Sequence, residues 1–293
     1  MKLIFVHGRA QAKKDPQNLK KIWIESLKVG LRKSGLDLPV SEKDIIFPYY
    51  GDLLDQLIID YNTPIEGIIT RGSQLNFSDA RFFNDFLMEV ALNSDVSIND
   101  IEEENINNVK EKGALNWEWI HCILKAIDRK SYWSEMSIKK FTYDVFLYLT
   151  IPLIKEEVQN EIIKILGNEP FVIVGHSLGS IVSYNILRER PELQTKKFIT
   201  LGSPLGITAV KKYLKNPIKM PECIEKGWYN AYDERDVVAL KALDVRYFNI
   251  DPAIKNSNHV RNHTSNRHGI EGYLDDQQVA KEIYDSLNNQ KLL

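Results

Sequence analysis

The chain has 293 residues, of which 43% are hydrophobic and 27% charged, and its formal net charge is −2. This hydrophobic content supports a substantial core, while 38 basic against 40 acidic side chains argue against a nucleic-acid surface or a polybasic membrane patch. The two cysteines, Cys122 and Cys223, are too few for a disulfide framework and lack metal-site spacing. We therefore expect a reduced, cytoplasmic protein that binds no nucleic acid and holds its partner in a pocket.

Two apolar segments, at the N-terminus and at residues 145–154, are candidates for a targeting signal or a membrane span. The N-terminus, MKLIFVHGRA, has four apolar residues before His7 and Gly8, which is too short for the apolar region of a secretory signal. Residues 145–154 are interrupted by Tyr148 and Pro152 and fall short of the roughly 20 apolar residues that a membrane span needs. The sequence therefore predicts no transmembrane segment.

The first fifty residues have the pattern of a strand, a helix and a second strand. Residues 2–6 (KLIFV) predict a buried strand, and residues 44–47 (DIIF) predict a shorter one. Between them, residues 15–34 have apolar side chains at helical spacing, namely Leu19, Ile22, Trp23, Leu27 and Leu31. A helix between two such strands indicates the βαβ unit of a parallel sheet.

The second half of the chain continues the alternation of helices and strands. A helix over residues 152–166 leads to a strand at 171–174, and helical spacing resumes after Ser180. Three further strands are predicted, from 196 to Gly202, at 227–232 and at 244–250, and a closing helix covers 275–287. The pattern predicts an α/β protein with a parallel sheet.

The strand at 171–174 runs into the next helix through Gly175-His176-Ser177-Leu178-Gly179. This is the G-x-S-x-G pattern of a nucleophile elbow, in which glycines two residues before and after the serine avoid collisions in a sharp turn. A plain strand-to-helix turn is the alternative. With the flanking strand and helix, the segment resembles the α/β-hydrolase superfamily, in its lipase and esterase branch.

The resemblance implies an α/β-hydrolase fold with a minimal, mostly parallel sheet of about six strands, because the first two strands of the family are missing. It implies that Ser177 is the nucleophile and that the amides of Leu178 and Arg9 form the oxyanion hole. By the same resemblance, the run Glu234-Arg235-Asp236-Val237-Val238 is similar to the acid loop of filamentous-fungal lipases. Asp236 is then the acid, and His268, after the last strand, is the base.

Alternatives remain open for several of these assignments. Asp233 lies three residues before Asp236, although its place at a strand end suits a side chain that caps turn amides. His259 and His263 share the loop of His268, and a metal site formed by the three histidines is disfavoured by their spacing. His176 and Ser203 are expected to have structural roles. The Arg9 guanidinium is either solvated or a contact for an acidic group of the substrate.

Residues 53–140 lack a convincing central strand and predict a helical cap inserted into a core formed by 1–52 and 141–293. Helices are expected at 79–92 and 116–127, separated by an acidic stretch, 94–108, that we expect to be a flexible, solvated loop. The cap carries aromatic side chains that line an acyl pocket or form the cap's own small core: Phe82, Phe83, Phe86, Trp117, Trp119 and Trp133.

Taken together, the resemblance implies a serine hydrolase that cleaves a small-molecule or lipid ester through an acyl-enzyme, without a cofactor or metal. An acyltransferase or thioesterase would use the same residues, an amidase or peptidase is not specifically indicated, and a catalytically silent binding protein on a hydrolase scaffold is a further alternative. The sequence leaves the oligomeric state open.

Overall fold

In the computed structural model the described residues are 1–61, 77–105, 116–239 and 241–288, with only the backbone described for 77–79. Within them, six strands form one sheet in which every pairing is parallel, as predicted: β1 (Lys2–Val6), β2 (Ile45–Ile46), β3 (Phe171–His176), β4 (Thr195–Leu201), β5 (Trp228–Ala231) and β6 (Lys255–Ser257). Their order across the sheet is β2-β1-β3-β4-β5-β6.

Helices connect the strands and cover both faces of the sheet. In chain order they are α1 (Pro16–Arg32), α2 (Gly51–Asp60), α3 (Phe77–Asn93), α4 (Ile98–Glu103), α5 (Trp117–Lys130), α6 (Glu135–Thr150), α7 (Pro152–Leu166), α8 (Leu178–Glu189), α9 (Thr208–Lys211), α10 (Glu271–Leu274) and α11 (Gln277–Leu287). Short 3-10 turns lie at Glu42–Asp44 and Pro204–Gly206.

The alternation of side chains along each strand divides the core between the two faces. Leu3 and Phe5 of β1 join an apolar cluster with α1 and α11 on one face. Ile4 and Val6 of the same strand join a larger cluster on the other face, together with residues of α3, α5, α6, α7 and α8. The sheet is therefore buried on both sides, which explains the apolar runs of β1 and β3.

The helices predicted to form a cap contribute to this larger cluster. Phe82, Phe83 and Phe86 of α3 and Trp119 of α5 are at most 5% exposed, and they belong to the same apolar cluster as Ile4 and Val6 of the sheet. The apolar core of the sheet therefore extends into residues 80–105 and 116–148. The division into a core and a cap at residues 52 and 141 stays a prediction.

The predicted last strand at 244–250 is wrong, because this segment folds as turns and the edge strand is β6, Lys255–Ser257. The Asp244 side chain accepts hydrogen bonds from the amides of Arg246 and Tyr247, which holds the backbone in a turn. Phe248 is buried because its ring packs against Tyr184 and Trp228. Its apolar character thus reflects packing from a loop and not a strand.

The acidic stretch is also more ordered than predicted. Residues 98–103 form α4, which begins with a capping box between Ser97 and Asp100 and buries Ile101 completely. Arg129, near the end of α5, pairs with Asp100, Glu103 and Glu104, so the acidic charges are partly neutralised by a neighbouring helix. The predicted solvated loop is therefore wrong over 98–103, and residues 106–108 lie outside the described residues.

The order of strands creates a crevice between β1 and β3. From β1 the chain proceeds to β2 on one side of the sheet, whereas β3, β4, β5 and β6 follow one another on the other side. In open parallel sheets the carboxyl ends of strands at such a reversal leave space for a ligand. None of the helices in the described part of the chain is long and apolar enough to cross a bilayer.

Candidate active site

Ser177 lies at the end of β3, in the crevice, on a turn that only small neighbours permit. Its backbone has φ 57° and ψ −128°, a conformation that a non-glycine residue adopts only when the surrounding structure enforces it. A Cβ on Gly175 would lie 2.8 Å from the backbone of Gly179 and Ser180, and a Cβ on Gly179 would lie 2.3 Å from the Val6 carbonyl. Close backbone contacts therefore require glycine at both positions, as predicted from the G-x-S-x-G pattern.

His268 joins Ser177 to Asp236 by two hydrogen bonds. Its Nε2 lies 2.8 Å from Ser177 Oγ and its Nδ1 lies 2.6 Å from Asp236 Oδ2. Because the carboxylate accepts from Nδ1, we assign the proton of the neutral ring to Nδ1, which leaves Nε2 free to accept from the serine hydroxyl. The structure thus brings together three predicted residues that lie on the loops after β3, β5 and β6.

Asp236 is fully buried and has a further partner that the sequence did not indicate. The Tyr273 hydroxyl donates to the same Oδ2 atom at 2.7 Å. Burial and the charge of Asp236 raise the pKa of Tyr273 well above its ordinary value, so the phenol keeps its proton. Gly202, at φ 55°, leaves room for both groups, because a Cβ there would lie 3.0 Å from the Tyr273 ring and 3.2 Å from Asp236 Oδ2.

The rival acid and the rival bases are engaged elsewhere. Asp233 accepts hydrogen bonds from the amide and guanidinium of Arg235 and from the Asn262 amide, so its carboxylate stabilises the loop. Although burial alone would raise the pKa of Asp233, these hydrogen bonds hold it below its ordinary value. His263 is exposed and contacts Asp275 at 3.0 Å, while exposed His259 borders a separate surface cavity.

His176 and Ser203 support the site from behind. His176 Nε2 lies 2.8 Å from the His268 carbonyl oxygen, and the two rings are 4.8 Å apart. Burial and the neighbouring His268 lower the pKa of His176 well below its ordinary value, so it donates this hydrogen bond as a neutral ring. Ser203 accepts from the Leu205 amide and bonds to Ser180, as expected of a turn serine.

Two backbone amides lie beside the nucleophile. Leu178 is the first residue of α8, so its amide has no acceptor within the helix. Gly8, after β1, contacts the serine closely, since a Cβ there would lie 2.8 Å from Ser177 Cβ and 3.2 Å from its Oγ. The Arg9 amide follows directly and makes no hydrogen bond to another described residue. Both predicted oxyanion amides are therefore near Ser177 and unsatisfied by regular structure.

The Arg9 side chain contacts helix α6 instead of solvent. Its Nε donates to Asp144 Oδ2 of α6 at 2.5 Å, and both side chains are nearly buried. Burial raises the pKa of Asp144 more than the charge of Arg9 lowers it. The guanidinium is thus paired within the protein, which weakens the alternative that it binds an acidic substrate group.

A cleft of about 600 Å³ opens onto Ser177 and His268. One wall is formed by Trp133 and Phe141, whose rings lie 5.3 and 6.0 Å from that of His268. The cleft is also lined by apolar side chains of α1, namely Leu19, Ile22 and Trp23. Its rim carries the exposed Lys14, Asp15 and Asn18 and the half-buried Glu271, the first residue of α10. Of the predicted cap aromatics, Trp133 lines this cleft.

Within the described ranges, no group of three or more histidine, cysteine or acidic residues is arranged to hold a metal ion. Comparison with family models, with curated proteins and with solved structures found no match for this chain. The chemistry of the site is therefore inferred from its own geometry. A hydroxyl bonded to an imidazole, which is in turn bonded to a buried carboxylate, is an arrangement that activates a nucleophile.

Proposed function

We propose that the protein is an α/β-hydrolase-fold serine esterase, lipase- or esterase-like, that cleaves carboxylic esters through an acyl-enzyme. The observation that carries this proposal is the continuous hydrogen-bonded chain from Ser177 Oγ through His268 to Asp236. Residues far apart in sequence converge there at the point where Gly8 contacts the nucleophile. The all-parallel sheet and its strand order are compatible with this fold.

In the proposed reaction, His268 Nε2 takes the proton of Ser177 as its oxygen attacks the ester carbonyl. Asp236 holds the ring in the required tautomer and stabilises the imidazolium that forms. The amides of Leu178 and Arg9 donate to the oxyanion of the tetrahedral intermediate. His268 then gives the proton to the leaving alcohol, and a water molecule, deprotonated by the same nitrogen, releases the acid and restores the serine.

The cleft favours a small ester over a long-chain lipid. Its volume of about 600 Å³ is that of a site for a drug-sized ligand, and its rim carries charged side chains that a long acyl chain would desolvate. Trp133 and Phe141 offer an apolar wall of limited extent. We therefore propose a substrate with a short acyl group, and a cytoplasmic location in keeping with the unpaired Cys122 and Cys223.

A series of p-nitrophenyl esters tests both parts of this proposal. We expect hydrolysis of acetate and butyrate esters, with kcat/KM falling by at least about tenfold for the palmitate ester. The Ser177→Ala variant should lose activity by several orders of magnitude, because the nucleophile is gone. Activity that survives in Ser177→Ala, or its absence from the folded wild type with every ester, would contradict the proposed function.

A further inference from the structure

The loop that follows β1 contains a buried histidine that the proposed reaction does not use. His7 is 1% exposed, and its ring stacks on the ring of Tyr50 at 4.0 Å. The Tyr50 amide donates to His7 Nε2 at 3.1 Å, and the Tyr50 hydroxyl donates to the His7 carbonyl oxygen. The side chain is therefore fixed by Tyr50, the residue immediately before α2.

The tautomer of His7 follows from these partners. Since Nε2 accepts from the Tyr50 amide, the proton of the neutral ring must be on Nδ1. Nδ1 lies 2.6 Å from the carbonyl oxygen of Gly8, to which it donates. Burial lowers the pKa of His7 to about 4, which keeps the ring in this neutral form over the physiological range.

The carbonyl of Gly8 and the amide of Arg9 belong to one peptide unit. That unit is planar and trans, so its C=O and N–H point in opposite directions and rotate together. A hydrogen bond that fixes the Gly8 carbonyl therefore also fixes the direction of the Arg9 N–H. Gly8 contacts Ser177, which places this peptide beside the nucleophile.

We propose that His7 is a positioning residue that aims the Arg9 amide at the oxyanion through its hydrogen bond to the Gly8 carbonyl. This inference rests on the proposed function and adds a residue outside the Ser177, His268 and Asp236 chain. The Arg9–Asp144 pair holds the other end of the same residue, so the amide is fixed from both sides. The hydrogen bond also polarises the peptide and makes its N–H a stronger donor.

Two matched variants separate the donor of His7 from its ring. Asparagine places its amide nitrogen near the position of Nδ1 and retains the donor to Gly8, whereas glutamine reaches the position of Nε2 and the Tyr50 amide. We expect His7→Asn to retain kcat within about fivefold of the wild type. His7→Gln should lower kcat by about 10- to 100-fold with KM nearly unchanged, since a misaimed oxyanion donor acts on the transition state.

The readout that identifies the oxyanion is the rate ratio between an oxygen ester and its thiono analogue. Sulfur is a weaker hydrogen-bond acceptor than oxygen, so an aimed amide favours the oxygen ester. The wild type and His7→Asn should share one ratio, and His7→Gln should show a ratio lower by about tenfold on folded protein, verified by circular dichroism. A ratio in His7→Gln equal to that of the wild type, or His7→Asn as impaired as His7→Gln, would overturn the proposal. Because Ser177→Ala is assayed in parallel, failure of the proposed function is seen separately, as activity that does not depend on Ser177.

Discussion

Tyr273 and His268 donate to the same oxygen of Asp236, so the carboxylate is held by two groups from one short stretch of chain. The phenol remains protonated because burial and the carboxylate raise its pKa. Its hydrogen bond fixes the carboxylate in the plane that His268 requires, while Gly202 provides the space. Tyr273 is thus a positioning residue for the acid.

Replacing Tyr273 by Phe should lower kcat by about tenfold, since one hydrogen bond to a charged group is lost while His268 remains bound. KM should change little, because the phenyl ring fills the same space, whereas the melting temperature should fall because the buried Asp233 amide also loses its acceptor, the Tyr273 hydroxyl. Steady-state kinetics on folded protein measure the effect. A loss as large as that of Asp236→Asn would show that the fold of the loop, and not one hydrogen bond, had been disturbed.

The two neighbouring aspartates make a matched pair. Asp236→Asn should lower turnover on the order of ten-thousandfold, because the amide spoils the tautomer of His268. Asp233→Asn should instead lower the melting temperature with a modest effect on turnover, since Asp233 holds Arg235 and the Asn262 amide. The reverse ranking, measured with one activated ester, would transfer the role of acid to Asp233.

Single residues differ in how far the sequence predicts them. The Ser177 turn is local, and Asp236 and His268 follow strands at one edge of the sheet, so their meeting was predictable. Tyr273 is bonded to Asp236, 37 positions away, and His7 is held by Tyr50, 43 positions away, and no spacing in the sequence encodes these contacts.

Aromatic side chains of α3, of α6 and of the turn before α6 form both a wall of the cleft and part of the core. Trp133 and Phe141 face His268, whereas Phe86 is fully buried and its ring packs against Phe82 and Phe141. Of the aromatic side chains predicted to line a pocket or form a core, Trp133 therefore lines the cleft and Phe86 lies in the core. Sequence could not distinguish them, because aromatic residues at helical spacing look the same on either side of a helix.

Because Trp133 lines the cleft and Phe86 lies in the core, substitutions at these two positions should change different properties. Trp133→Ala should alter the preference between acetate and longer acyl esters, because it removes part of the cleft wall. Phe86→Ala should lower the free energy of unfolding by about 3–5 kcal/mol and leave the chain-length preference unchanged. Urea denaturation and the ester series measure the two quantities. An altered ester preference in Phe86→Ala, with Trp133→Ala unchanged, would contradict the division.

The strands were predicted well where hydrophobicity determines them and poorly where it does not. β1 and β3 are buried on both faces and contain apolar runs, as does the second half of β4 in part, at Phe198 and Ile199. β6 has the sequence Lys255-Asn256-Ser257, and its position is fixed by polar contacts, including hydrogen bonds between Asn256 and the backbone of Leu243. An apolar criterion therefore selected 244–250, where Phe248 is buried and packs from a turn while Val245 is exposed.

At the scale of the whole molecule, two buried neutral histidines link folding to pH. The pKa of His7 is lowered to about 4, and that of His176 lies well below its ordinary value, in both cases mainly because of burial. In the unfolded chain both return to about 6.5 and bind protons that the folded chain excludes. The contribution of these two neutral histidines to the free energy of unfolding is therefore fully present above about pH 6.5, and it decreases as the pH falls towards 4.

Urea denaturation at pH 7, 6 and 5 tests this linkage. Each buried histidine should contribute a slope of up to about 1.4 kcal/mol per pH unit in the unfolding free energy within that window. His7→Asn should reduce the slope, because asparagine does not titrate. Equal slopes in the wild type and His7→Asn would contradict a neutral, buried His7.

The central claim is that Ser177 is a nucleophile activated by His268. Incubation of the folded protein with a fluorophosphonate, followed by intact-mass measurement and peptide mapping, tests it most directly. The account predicts one label per chain on the peptide containing Ser177, labelling that is slowed by several orders of magnitude in His268→Ala, and none in Ser177→Ala. A folded wild type that stays unlabelled, or a label that persists on another serine in Ser177→Ala, would contradict the account.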